Sequence, residues 1–418
     1  MKIAYKGETL ITIPGTQTVS NASVIVDGNK ISSVRTDIPK GLPIVDLGKT
    51  TLLPGLIDAH LHLMWTGENA DPDSTRRAET REITMLRMAN HALKAICGGI
   101  TTCRETGSPT KMILALRDAL LMGLIPGPRI ISAGTLITMT GGHVNTISRE
   151  ADGPGEARKA ARELIKAGVD FLKVAASGGI YGHGEEIGSL QLDGDELSAI
   201  VREAHKTGKK VAAHVYPAKG IEICLDAGID SIEHGSFLTQ ELAERMASLG
   251  TFLVPTLSVY QAMHSHQNDP ATMDFIRRKT AQVVEASEKA VMIAKAHGVK
   301  ICAGTDSGGP WHPHGSIIRE IEALTRVGLT PAESICAATL TNAELLNLHD
   351  RIGSLETGKF ADFIAVEGNP LENIGALNKI VLIVKDGIPV FIHSRYAKEI
   401  SKSGLTDSFL FPNAVNRA

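Results

Sequence analysis

Along the middle of the chain, short apolar runs of strand length alternate with stretches whose apolar residues recur at helical spacing. This is the pattern of βα units that pair into a parallel sheet. Eight runs qualify as strands: TLLPGLIDAH, GITTCRETG, PRIISAG, VDFLKVAAS, KKVAAHV, IDSIEHG, TFLVPT and VKICAGTD. That number predicts an α/β fold with a closed (β/α)8 barrel of the TIM type over residues 53–354. Helices fit between the runs. DELSAIVREAHKTG is expected to end at Gly208, and Thr330-Pro331-Ala332-Glu333 reads as a capping box with proline at the first helical position.

The two ends have a different texture. In NASVIVDGNKISSV, Val24, Ile25 and Val26 lead into Asp27-Gly28, a strand followed by a hairpin turn. FADFIAVEGNP and KIVLIVKDGIPVFI repeat that texture, with Lys385-Asp386-Gly387 as the turn. Residues 1–52 and 355–396 are therefore expected to form one small composite β-sandwich, since chain termini often lie close together. Residues 397–418, polar and then FLFPNAV, read as a C-terminal tail, either frayed or docked on a neighbour.

Composition narrows the partners. With 43 Lys and Arg against 46 Asp and Glu, the net charge of −3 gives no electrostatic reason for a nucleic-acid or anionic-membrane partner. Charged residues at 21% and hydrophobic residues at 43% exclude wholesale disorder. The cysteines (Cys97, Cys103, Cys224, Cys302 and Cys336) are odd in number and contain no C-x-x-C pair, which argues against a disulfide framework and a thiolate zinc site. They read as reduced thiols. The absence of a signal-like apolar run or a membrane-length one adds to the expectation of a cytoplasmic protein acting on a small molecule or dipeptide, as a homo-oligomer.

In a barrel of this kind the reactive residues sit at the C-terminal ends of the strands. The first run ends His60-Leu61-His62, the fourth carries Lys173, the fifth ends at His214, the sixth at His234 and the eighth at Asp306. Metal-competent groups from several strands thus reach one rim. Residues i and i+2 of a strand share a side, so His60 and His62 can grip one ion, although a lone H-x-H is also compatible with hydrogen-bonded rim imidazoles. Lys173 shares a face with Phe171 and Ala175, which points its ammonium inward. An unmodified lysine there would repel a bound cation, and unpaired burial is costly.

The ordered set PGLIDAHLH, FLKVAASGG, VAAHVYP, SIEHGS and AGTDSG resembles the amidohydrolase superfamily, and ETGKFADFIAV resembles that family's return into its small β domain. The resemblance spans nearly the whole chain. It implies that Lys173 is N-carboxylated by carbon dioxide and bridges two divalent ions, one on His60, His62 and Asp306 and one on His214 and His234, with a hydroxide between them. Zinc suits such nitrogen and oxygen donors best, with manganese or cobalt as alternatives. Asp306 would take the proton of the attacking hydroxide and deliver it to the leaving amine, pure ligation being the simpler alternative.

Thr140-Gly141-Gly142-His143 and Tyr216, two residues after His214, make the resemblance closest to Xaa-Pro dipeptidases, arginine/lysine carboxypeptidases and ochratoxin-type amidases. That subgroup implies that His143 and Tyr216 hold the substrate's carbonyl or α-carboxylate and stabilise the tetrahedral oxyanion. A packed rim tyrosine is the alternative for Tyr216. Two departures stand out. Val144-Asn145-Thr146 follow the GGH motif where the subgroup often has glycine and an acid, and TTCRETG has glutamate where aspartate usually follows arginine, so Arg104-Glu105 reads as a structural ion pair.

Two loops are the expected specificity elements. Residues 177–186 combine glycines with His183, Glu185 and Glu186, and residues 308–314 add Trp311 and His314. His183 and Trp311 are expected to bind substrate, and an acid near the substrate side chain would favour arginine or lysine. Glu185 and Glu186 read equally well as a solvated charge pair. His314 reads as a brace for the rim, His91, His205 and His297 as helix residues, and His264 and His266 as part of a mobile polar loop. The expected activity is metal-dependent hydrolysis of a peptide bond next to a free C-terminal carboxylate, of Xaa-Pro or Xaa-Arg/Lys type. Hydrolysis of N-acyl amino acids, ochratoxin-like amides or cyclic amides as in imidazolonepropionase-like enzymes is the alternative, with a non-catalytic assembly protein behind both.

Overall fold

A computed structural model of the chain describes residues 2–402. Parallel pairing organises its middle. Strands Leu56–Leu61, Ile100–Glu105 and Arg129–Ser132 form one parallel sheet, and Leu172–Ala175, Val211–Val215, Ser231–His234 and Phe252–Val254 form a second. The second is extended at its Leu172–Ala175 edge by the short strands Ile137–Thr138 and Arg149–Glu150. Residues 300–307 form no ladder, although VKICAGTD reads as an eighth strand. They make single parallel bridges, Leu253 to Ile301 and Leu61 to Ser307, and Asp306 N donates to His60 O at 2.7 Å. On the opposite side the two sheets meet where Asp170 N donates to Ser132 O at 2.8 Å. The expected α/β class with parallel sheets is present.

Local chemistry explains the helices. Asp193 accepts from the backbone of Asp195 and Glu196 while Glu196 reaches back, so a reciprocal cap opens helix Gly194–His205, whose buried Leu197, Ile200, Val201 and Ala204 recur at helical spacing. That helix stops short of Gly208. The Thr330–Glu333 box opens helix Pro331–Ala337 as expected. Helix Leu257–Ser265 begins after Thr256, and the Glu320 carboxylate accepts from Leu257 N and Ser258 N at its start. This helix carries His264 and is capped by His266, so these two do not belong to a mobile loop. Polar spacing in QAMHSHQ hid a helical turn that buries Tyr260 and Met263.

The ends of the chain share a sheet. Phe363–Glu367 pairs with Thr50–Pro54, within the order Ile388–Ile392, Ile380–Lys385, Phe363–Glu367, Thr50–Pro54, Thr9–Ile13, Gln17–Ser20. A second sheet, ordered Lys30–Arg35, Ser23–Asp27, Lys2–Lys6, Ile44–Asp46, contributes to the same apolar cluster, where Tyr5 meets Phe363 edge-on at 5.1 Å. Asp386 and Gly387 turn the last hairpin at φ 49° and 77°, as a two-residue hairpin of this hand requires. TLLPGLIDAH is not one strand. Gly55 splits it, and a Cβ there would stand 2.3 Å from Thr101 Oγ1, so only glycine lets the chain pass from the end sheet into the parallel one. Residues 397–402 are helical, and FLFPNAV lies outside the described residues. No described helix is long and apolar enough to cross a membrane.

One buried amide ties the first strand to residues 300–307. Asn342 Nδ2 donates to Ile57 O at 2.7 Å and to Ala303 O at 2.8 Å. Asn342→Ala is expected to lower the unfolding free energy by about 2 kcal/mol, because both carbonyls lose a partner in a dry setting. Urea denaturation followed by circular dichroism checks this.

Candidate active site

The six predicted ligands come together at the strand ends. His60, His62, Lys173, His214, His234 and Asp306 line one small cavity with His143, Leu136, Val144 and Tyr181. Register explains part of this. Leu172–Ala175 and Val211–Val215 pair Lys173 with Ala212, and Val211–Val215 and Ser231–His234 pair Val215 with His234, so neighbouring strands end at matched heights.

Contacts within the cluster are short. His60 Nε2 and His62 Nε2 lie 3.5 Å and 3.4 Å from Asp306 Oδ1. The tightest set of donor atoms joins His60, His234 and Asp306, all within 4.8 Å of one another. His234 thus stands nearer to the His60–Asp306 pair than an assignment of His60 and His62 to one ion and His214 and His234 to another would suggest. His214 meets His234 edge-on at 4.6 Å between ring centroids. Burial pushes His62 down to about 3 and holds His60, His214 and His234 well below the usual imidazole range. Neutral imidazole is the form that ligates a metal.

Two buried polar atoms have no hydrogen-bond partner here, Lys173 Nζ and Asp306 Oδ1. Burial lowers the Lys173 pKa and raises that of Asp306. Unpartnered groups of this kind are uncommon in native interiors and call for an explanation. A nitrogen and oxygen donor set around them fits divalent metal ions, with His60, His62, His214, His234 and Asp306 as direct donors.

The backbone at the site is held in unusual shapes. His234, Thr256 and Asp306 have φ of 71°, 52° and 55°, in the left-handed region that costs a side-chain-bearing residue of order 1–3 kcal/mol. Bonds on all sides hold them. His234 Nδ1 contacts Thr256 Oγ1 and the Tyr260 hydroxyl, each at 2.8 Å. Asp58 accepts from His60 N at 3.1 Å, Thr305 N at 3.0 Å and Thr305 Oγ1 at 2.6 Å, fixing the backbone on both sides of the His60–Asp306 contact.

Sequence reasoning missed Asp58 and Glu233. Glu233 Oε2 holds His60 Nδ1 at 2.7 Å, and both its oxygens accept from Arg104 at 2.7 Å. Arg104 therefore pairs across the interior with Glu233 and not with Glu105, whose carboxylate accepts from Ser108 and Ser132. A lone arginine in TTCRETG and a lone glutamate in SIEH, each inside an apolar strand, were the available signal, since neither can be buried unpaired.

Around the cavity, His143 stacks on His214 at 4.1 Å between centroids, and its Nδ1 lies 2.7 Å from Glu185 Oε1. Tyr216 stacks on His234 at 5.1 Å, its hydroxyl accepting from Tyr260 at 3.3 Å. It touches a ligand candidate without lining the cavity. Above, a chamber of about 330 Å³ shares Val144 and Tyr181 with the inner cavity and adds Trp65, His183, Met273 and Phe275. His183 is thus at the chamber, while Trp311 is not and stacks on His266 at 4.6 Å. Glu185 and Glu186 differ: Glu185 turns in and is engaged by His143, whereas Glu186 is a solvated charge, exposed and paired with Arg278 at 2.9 Å. His314 braces Trp65 O at 2.8 Å, against His91.

A model of the amidohydrolase family matches residues 51–391. The chain belongs to this family of hydrolases. Its members generally use metal ions, in keeping with the His60, His234 and Asp306 set. Ochratoxinase of Aspergillus niger is 30% identical over 409 residues, covering 89% of this chain and 82% of that one. A Xaa-Pro dipeptidase structure with methionine in its active site superposes with a TM-score of 0.86 at 32% identity, covering 93% of this chain and 99% of that one. A prolidase complexed with N-methylphosphonate-L-proline gives 0.87 at 27% identity, covering 94% and 100%. These relatives fall in the subgroup the GGH and Tyr216 motifs resemble.

Glu233→Ala leaves Arg104 buried and unpaired, with an expected loss of about 3–5 kcal/mol in stability. Glu233→Gln keeps a neutral partner for both neighbours, and its zinc affinity is expected to fall about 10- to 100-fold because His60 is less firmly oriented. Denaturation and competition titration with a zinc chelator test the two variants.

Proposed function

We propose that this amidohydrolase cleaves an amide bond next to a free C-terminal carboxylate, as a dipeptidase or carboxypeptidase with a binuclear metal centre. One observation carries the reading. Six donors from five separate segments of the chain share one cavity in which Lys173 Nζ and Asp306 Oδ1 are buried without a hydrogen-bond partner. The scaffold that belongs with it is a (β/α)8 barrel over residues 53–354 beside a β-sandwich of residues 1–52 and 355–396. The bridges flanking residues 300–307 and the sheet shared by the two ends favour that division.

Carbon dioxide would add to Lys173 Nζ in its deprotonated form, which burial makes more accessible, forming an N–C bond and releasing one proton from the amine. The carbamate would be anionic, so the inward group would change from a competitor of cations to a further oxygen donor beside His60, His62, His214, His234 and Asp306. Zinc, manganese or cobalt ions bound there would acidify water and polarise the scissile carbonyl. Asp306 accepts the proton released as water attacks, and returns it to the departing amine. His143 lines the cavity beside His214 and holds the substrate's carbonyl or carboxylate, whereas Tyr216, outside the lining with its hydroxyl on Tyr260, acts by packing against His234.

The chamber bears on the substrate side chain. Its three acids are already engaged: Asp71 pairs with Arg77 and accepts from Asp73 N, Asp73 binds Trp65 Nε1, Arg76, Arg77 and Thr146, and Glu185 binds His143. An arginine or lysine substrate therefore finds no free carboxylate there, whereas Trp65, Tyr181 and Phe275 offer ring surface to an uncharged group. This favours neutral Xaa-Pro and N-acyl amino acid substrates over basic ones. Reduced thiols and a cytoplasmic setting fit the same picture.

Metal-loaded protein is expected to release amino acid from a neutral dipeptide or an N-acyl amino acid, read across a library varying both ends. Lys173→Ala should lose bound metal and activity together, and Asp306→Asn should keep part of the metal while losing turnover by about 100-fold or more. Full activity in either variant, or silence of the library with metal bound, contradicts the proposal.

A further inference from the structure

Gly142, Gly179 and Gly182 do not need glycine for a left-handed φ. They need it for space. A Cβ on Gly142 would stand 2.2 Å from Thr138 Oγ1 and 2.8 Å from Gln191 Oε1, one on Gly179 would stand 2.0 Å from His143 Cε1, and one on Gly182 would stand 1.6 Å from Glu185 Oε1. Apart from Met139 O, 3.0 Å from the Gly142 position, the atoms met belong to one hydrogen-bonded network. His143 Nδ1 is 2.7 Å from Glu185 Oε1, Gln191 Nε2 donates to Glu185 Oε2 at 3.1 Å, and Gln191 Oε1 accepts from His143 N at 2.8 Å. Thr138 Oγ1 donates to the same Gln191 oxygen at 3.1 Å, and Gln191 N donates to Ala176 O at 3.0 Å, which ties the network to the strand that carries Lys173.

A ring nitrogen facing a carboxylate carries a proton, whether the imidazole is neutral or charged, so Nδ1–H donates to Glu185. Nε2 is then the nitrogen left to a ligand in the cavity His143 lines. Stacking on His214 at 4.1 Å fixes the ring plane, and the bond to Gln191 fixes the backbone. We infer that Glu185 and Gln191 are positioning residues: together they clamp His143 so that Nε2 faces the substrate's carboxylate end, and the glycines exist to let this clamp close. Neither residue touches the metal ligands, and the clamp links the loop after Arg129–Ser132 to the loop after Leu172–Ala175. The inference rests on the reading of His143 as a substrate contact.

The test uses full-length protein labelled with 15N-histidine, with His143→Gln assigning the signal. Wild type is expected to show His143 protonated at Nδ1 in a hydrogen bond, Glu185→Gln to retain that bond through its amide oxygen, and Glu185→Ala to lose it. In kinetics on the best dipeptide or N-acyl amino acid, Glu185→Ala should raise KM about 10- to 100-fold with kcat within about threefold and bound metal unchanged, and Glu185→Gln should recover most of the loss. A purely structural role would instead lower kcat, metal content and melting temperature together. An unprotonated Nδ1 in wild type, or a His143 signal unchanged in Glu185→Ala, overturns the clamp. Should the signal respond as expected while no such substrate is cleaved, the clamp stands and the substrate reading fails.

Discussion

A lysine ammonium is not stable when buried among imidazoles with nothing to accept its protons, and Lys173 is placed in that setting by the strand that carries it. Arg104 lies in the same interior, yet its charge is met by both oxygens of Glu233. Only the lysine is left over. Burial lowers the Lys173 pKa to about 8, which eases the conflict without removing the charge at neutral pH, and it keeps His60, His62, His214 and His234 neutral, so the four imidazoles are poised to donate electron pairs. Under the proposed function, bound cations and a negative charge on Lys173 would relieve the conflict around one orphaned amine and one orphaned carboxylate oxygen.

The surrounding structure maintains this arrangement at some cost. His234 and Asp306 sit in left-handed backbone conformations, held by Thr256 and Tyr260 on one side and by the Asp58–Thr305 bonds on the other. Glu233 does two things at once, neutralising Arg104 and orienting His60. Such shared partners hold the His60 and His234 rings, because neither can turn without breaking its bond to Glu233 or to Thr256 and Tyr260.

Much of this was legible in the chain. Alternating runs predicted the parallel sheets, His60-Leu61-His62 and the strand-end His214, His234 and Asp306 predicted the cluster, and Thr330–Glu333 predicted a cap. What escaped was pairing at a distance. Arg104 and Glu233 are 129 residues apart, and nothing in local periodicity says that one answers the other. Neighbouring Glu185 and Glu186 look alike in sequence, but one turns in to His143 and the other out to Arg278. The stretch LLPGLI is apolar on both sides of Gly55, so the break there is set by Thr101 of another strand. Trp311 lies outside the chamber lining for a similar reason, its ring stacked on His266 at the end of a helix that read as a loop.

The central claim is that the six-residue cluster is a metal centre built around Lys173. Equilibrium dialysis of the native protein against zinc and bicarbonate, followed by elemental analysis, measures it directly. The account predicts about two ions retained per chain, the number a bridged site holds. A folded protein that retains none would contradict it.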